Sequence, residues 1–136
     1  MGILDYFLVF VISGAVFLAF DLLWLGVIAR DFYRKQLKKI RADRPSLPYS
    51  AVFYAVFLIG MMFFALVPAI NEGSLGIAMG RGAAYGFFTY ATWGLTNAAV
   101  VKGWPNKLVS IDLAWGTFLS FVTATAAYSI YTGLVA

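Results

Sequence analysis

Between residues 3 and 29 the only charged side chains are Asp5 and Asp21, and a run so long and so apolar leaves the backbone few conformations. In hydrocarbon every N–H and C=O must be bonded within the segment, which a helix achieves and an open strand does not. A bilayer core about 30 Å thick takes roughly 20 helical residues to cross. Comparable runs cover residues 49–70, 75–101 and 108–134. With 62% hydrophobic and 12% charged residues and a mean hydropathy of +0.86, the composition excludes a soluble domain. The expected fold is an all-α membrane protein: residues 1–136 form a single transmembrane domain, a bundle of four transmembrane helices at about 3–29, 49–70, 75–101 and 108–134. Arg81 falls inside the third run and is expected to snorkel outward, leaving residues 82–101 as its apolar part. The first run carries Asp5 where a cleavable signal would be basic, and is too long for one, so it reads as a span.

Orientation follows from the loops, since cytoplasmic loops are enriched in Lys and Arg. Arg30, Arg34, Lys35, Lys38, Lys39, Arg41 and Arg44 stand against Asp31 and Asp43 after span one, and Lys102 and Lys107 follow span three. The loop around Asn71, Glu72 and Gly73 has no such excess. Both termini are therefore expected outside. Phe32, Tyr33, Leu37 and Ile40 recur at near-helical spacing and Asp31 precedes Lys35 by four residues, so a basic interfacial helix is expected after span one, ending at "RPSLP". Its cations Arg30, Arg34, Lys35, Lys38, Lys39 and Arg41 are placed against lipid head groups; membrane lipids, not nucleic acid, are the anionic partner.

The chain has no cysteine and no histidine. That argues against disulfides, thiolate nucleophiles, iron–sulfur clusters, the usual zinc ligand sets and histidine-held haem. No metal and no cofactor are expected, and acid–base chemistry falls to carboxylates, tyrosine, lysine or water.

Two carboxylates nonetheless lie inside the spans, each three residues before a tryptophan: Asp21 and Trp24 in "DLLWLG", Asp112 and Trp115 in "DLAWG". At about 1.5 Å rise per residue, Asp21 lies roughly 13 Å before Arg30, Asn97 roughly 7 Å before Lys102, and Asp112 roughly 7 Å after Lys107. All three fall in the cytoplasmic half. An ionised carboxylate near the bilayer centre costs at least about 2.5–3.5 kcal/mol, so such groups face the bundle interior and find partners there. The candidate ligand-binding set is Asp21, Trp24, Thr96, Asn97, Asp112 and Trp115, with Trp93 and Trp104 able to join it. The plainer alternative is that Asp21, Asn97 and Asp112 staple three spans while the tryptophans anchor at the interface. On span three, Gly76, Gly80, Gly82 and Gly86 form two small-xxx-small pairs, suited to tight packing within the bundle or to a homodimer.

"FDLLWLGVIARDFYRKQL" at residues 20–37, "GLTNAAVVKGWP" at 94–105 and "IDLAWGT" at 111–117 resemble, in order and spacing, the bacterial domain-of-unknown-function 2177 family of small membrane proteins. The resemblance extends over nearly the whole chain. It implies a four-span, multi-pass protein of the bacterial inner membrane, with Asp21, Trp24, Asn97, Asp112, Trp115 and Gly116 on signature positions, and it implies no reaction. Relatives often read Tyr-Asp-Leu-Thr-Asn where this chain has "WGLTN", so Gly94 stands in place of a third acid.

The leading functional expectation is a transporter or permeation unit for a proton, cation or small solute, bound at the intramembrane carboxylates. Four spans are few for a pathway, so a dimer would be needed to enclose one. The alternatives are a membrane-embedded enzyme acting on a lipid or other apolar substrate, with Asp21 or Asp112 as general acid or base, and a non-catalytic lipid-binding accessory protein. Whether the chain is an enzyme is left open by its residues.

Overall fold

The computed structural model describes residues 1–40, 44 and 46–136, and all its regular elements are helical. Helix α1 (Ile3–Leu23) continues through a π-helical turn (Trp24–Ile28), and α2 (Arg30–Gln36) follows. Helix α3 (Leu47–Met61), a second π-helical turn (Met62–Leu66) and α4 (Val67–Glu72) form one continuous rod. Helices α5 (Leu75–Val100) and α6 (Asn106–Val135) complete the chain.

Three rods are long and apolar enough to cross a membrane: Ile3–Ile28, Leu47–Glu72 and Asn106–Val135. Helix α5 matches them in length, at 26 residues, but Arg81 and its glycines dilute its apolar character. The basic segment after α1 is helical only over Arg30–Gln36, with turns from Leu37 to Ile40. Arg30, Arg34, Lys35, Lys38 and Lys39 are all exposed; Arg41 lies outside the described residues, as does part of the "RPSLP" break.

Local chemistry explains where the helices begin and bend. Gly2 donates its N–H to Asp5 Oδ2 at 2.8 Å, closing the first turn of α1, and Asp5 Oδ1 accepts from the Tyr131 hydroxyl at 2.8 Å, tying α1 to the far end of α6. Gly73 ends α4 in the left-handed region at φ 62°, where glycine alone is unstrained. Ser74 Oγ then accepts from the Ile77 N–H at 3.1 Å and starts α5. Inside the second rod, Pro68 has no N–H to give the Phe64 carbonyl four residues earlier. The backbone widens there into the π-helical turn, and Arg81 of α5 donates to that carbonyl at 3.4 Å. The arginine in the third run thus serves a backbone group that a proline has orphaned.

Helix α6 lies along both α5 and α1, with Leu119, Ser120, Thr123 and Ala124 fully buried in the seam. The approach to α5 requires glycine at two positions. A Cβ on Gly82 would stand 2.5 Å from the Ala124 Cβ, and one on Gly86 would collide with the Gly116 carbonyl and the Ser120 side chain. The Gly82/Gly86 pair is therefore spent inside the protein. The other pair is open: a Cβ on Gly80 would have nothing within 4 Å, and one on Gly76 would meet only Ser74.

Overpacking a close helix contact costs about 1–3 kcal/mol, whereas alanine in place of an open helical glycine stabilises by up to about 1 kcal/mol. Gly86→Ala should lower the midpoint of unfolding in detergent micelles, and Gly80→Ala should hold or raise it. Equal midpoints would show that α5 and α6 do not meet at this separation.

Candidate functional site

Asp21 lies one turn before the π-helical turn that ends the first rod, and only 5% of it is exposed. A carboxylate this deep needs donors, and two other helices supply them. The Tyr54 hydroxyl of α3 donates to Asp21 Oδ2 at 2.8 Å, and the Trp115 indole of α6 donates to Oδ1 at 3.3 Å. Asp112, on the first turns of α6, accepts at Oδ1 from the Tyr33 hydroxyl at 2.7 Å; among the described residues nothing donates to its Oδ2.

Tyr33 belongs to α2, so the short basic helix is pinned to the site. Its hydroxyl also accepts from the Trp24 indole at 3.2 Å. Trp24 in turn stacks on Trp115, with ring centroids 4.4 Å apart and planes 8° from parallel. The π-helical turn at Trp24–Ile28 ends the first rod, and such turns are frequent at functional sites. Burial, with the Asp112 carboxylate beside it, pushes the Tyr33 phenol well above its ordinary range. It remains a donor at any physiological pH.

Between these groups is a half-open cavity of about 370 Å³, bounded by Asp21 and Leu25 from the first rod, Phe53, Tyr54 and Phe57 from α3, Thr89, Tyr90 and Trp93 from α5, and Asp112 and Trp115 from α6. Four rods contribute, and the walls are mostly aromatic. Among the described residues, no lysine or arginine lines it. Tyr90 can lean over α6 because position 116 is glycine: a Cβ there would strike the Tyr90 ring. The seam set by Gly82 and Gly86 thus continues into the site.

Of the six residues expected from sequence, Asp21, Asp112 and Trp115 meet at this cavity, and Trp24 backs it by stacking on Trp115. Thr96 is exposed and does not line it. Asn97 does not line it either; its Nδ2 is buried without an acceptor among the described residues, as is Trp104 Nε1. Trp93 lines the cavity and meets Trp104 edge to face at 6.2 Å.

Sequence reasoning did not find the tyrosines. Tyr33 was legible only as an apolar position of an amphipathic helix, and Tyr54 and Tyr90 lie in apolar runs with nothing nearby to mark them. The one usable signal was a matter of stoichiometry: two buried carboxylates in a chain without histidine need hydroxyl or indole donors. Among the described residues, no group of three or more acidic side chains could hold a metal ion.

A family model described as predicted membrane protein (DUF2177) matches residues 6–129, and the chain belongs to that family. No curated protein and no solved structure matches it.

Tyr33→Phe removes the bond joining α2 to α6. A hydrogen bond to a charged group contributes about 1.5 kcal/mol or more, equivalent to roughly tenfold in a local opening equilibrium. Amide exchange within Arg30–Gln36 should accelerate by that factor while α3 keeps its protection. Unchanged exchange in α2 would show that Tyr33 is not what holds it.

Proposed function

We propose that this member of the DUF2177 family is a four-span protein of the bacterial inner membrane that binds a small cationic solute between Asp21 and Asp112 and carries it across, protons exchanging for it at the same carboxylates. The observation that carries this reading is the cavity itself: two carboxylates on separate helices open into one aromatic-walled space that, among the described residues, no basic side chain lines. An ammonium group has three donors and would find the open Oδ2 of Asp112, the remaining lone pairs of Asp21 and the Thr89 oxygen. Faces of Tyr90, Trp93 and Trp115 would add cation–π attraction, worth about 0.5–2 kcal/mol each.

The membrane arrangement is part of the proposal. At 26 residues, α5 is about 39 Å long, enough to cross as the fourth span with Arg81 near one end. The exposed Arg30, Arg34 and Lys35 of α2 would face anionic head groups on the cytoplasmic side, together with Lys38 and Lys39, and both termini would then lie outside. A homodimer would complete the pathway, since a single chain of four spans encloses little beyond its own cavity.

One feature favours a second reading, a membrane-embedded enzyme acting on a lipid: Tyr33 and Asp112, 2.7 Å apart, form a hydroxyl–carboxyl pair able to relay a proton. A cellular lipid profile altered by the intact protein but not by Asp112→Asn would select it.

Benzylammonium is small enough for the cavity and should quench tryptophan fluorescence of the purified protein as it binds beside Trp93 and Trp115. Asp112→Asn and Asp21→Asn should each weaken binding at least about tenfold, the effect of losing one buried charge-assisted contact of about 1.4 kcal/mol or more. Asp5→Asn, at the other end of the bundle, should not. Acidification should weaken binding, because a proton competes for the same oxygens. Equal affinity in all three variants would remove the proposed site.

A further inference from the structure

The cavity has an opening, and its position follows from how α3 and α5 part. They meet where the Tyr85 hydroxyl donates to the Phe57 carbonyl at 2.8 Å and the Phe57 ring packs against Tyr85 and Tyr90, centroids 5.0 and 6.1 Å away. Beyond that point toward the α2 end, α3 continues through Tyr54 and Phe53 while α5 continues through Thr89 and Trp93. These two stretches face one another only across the cavity. The edges show it: Phe57 is 6% exposed, whereas Phe53 is 52% and Trp93 59% exposed, although both line the cavity.

Among the described residues the other lining side chains are less exposed, Leu25 of the first rod at 40% the most so. Asp21 and Asp112 are held from the α1–α6 side by the Trp115 indole and by Tyr33, and the Trp24–Trp115 stack lies on that side. With the helices crossing the bilayer as proposed above, the gap between α3 and α5, flanked by the two most exposed lining side chains, looks sideways, along the membrane plane. Its lips are large apolar side chains, and the α3 surface beside it, with Val52 and Val56 more than 60% exposed, has the character of a lipid-facing helix. Among the described residues that line this passage, the charged ones are the two acids at its inner end.

Resting on the reading of the site as a cation site, we propose that the ligand comes from the bilayer: an amphiphile whose primary ammonium head sits between Asp21 and Asp112 while its hydrocarbon chain leaves between α3 and α5. A water-soluble solute has no use for an apolar doorway. An amphiphile uses both parts, since its chain stays in hydrocarbon throughout and only the head is transferred from the interface to the carboxylates. The half-open form of the cavity follows, because its 370 Å³ need hold only the head group and first carbons.

The absence of cysteine makes a single-site reporter clean. Val56→Cys, beside the doorway and outside the cavity lining, carries a nitroxide in protein reconstituted in phosphatidylcholine vesicles; a second reporter at Phe63→Cys, on the same rod away from the cavity, serves as control. Hexadecylammonium should displace benzylammonium and broaden the spectrum at position 56 but not at 63, and the label at 56 should be relaxed by oxygen rather than by a water-soluble nickel complex. Asp112→Asn should abolish both displacement and broadening. Binding of benzylammonium with no displacement by hexadecylammonium, or a label at 56 relaxed chiefly by the nickel complex, would overturn the lateral entry and leave the cation site standing. Failure of both amines to bind would remove the site and its doorway together.

Discussion

The arrangement depends on one constraint: a polar group placed away from water must find its partner within the chain. Asp21 sets the terms. Buried to 5% exposure, it draws a donor from α3 and another from α6, so a single side chain fixes three rods relative to one another. Each of those bonds, involving a charged group, contributes more than a neutral one, and each is directional where the apolar contacts around it are not. The same rule operates at the opposite end of the bundle, where Tyr131 reaches Asp5, and inside the second rod, where Arg81 serves the carbonyl that Pro68 leaves unpaired. Hydrophobicity makes these helices, and scattered polar bonds choose their register.

Close packing and the site are one feature. The α5–α6 seam needs Gly82, Gly86 and Gly116, and the last of these admits the Tyr90 ring over α6. Phe57 then fills the junction between Tyr85 and Tyr90 and marks the point past which α3 stands away from α5. The cavity is therefore not a packing fault. It is what remains when one pair of helices is drawn together by glycines and a neighbouring helix is held off by aromatic rings.

The helical class and the three apolar rods were legible because hydropathy and length report directly on what a bilayer demands, and the family was legible from three short segments in order. The two aspartates were legible for the same reason, since an acid in hydrocarbon is conspicuous. Their partners were not. Tyr33, Tyr54 and Tyr90 count as apolar in any periodicity, and their hydroxyls acquire meaning only once the helix faces are known. Thr96 and Asn97 illustrate the converse. Asn97 follows Trp93 by four residues and Tyr90 by seven, on the same face of α5, so the face was the right one; the cavity ends at Trp93, before it reaches either residue. The π-helical turn at Trp24–Ile28 was invisible as well, because no proline marks it as Pro68 marks the other.

Position 94 joins the two levels. Gly94 is buried, and a Cβ there would approach Val109 Cγ1 of α6 at 3.3 Å, so α6 fits this chain's glycine closely. The resemblance places an acid there in relatives. Asn97 is three residues further along the same helix, the spacing at which side chains meet, and among the described residues its amide nitrogen is buried without an acceptor, as is the Trp104 indole nitrogen nearby in sequence. A carboxylate at 94 would lie within reach of the first of those donors. In this chain glycine at 94 lets Val109 of α6 pack against that position, and the Asn97 amide nitrogen has no acceptor among the described residues.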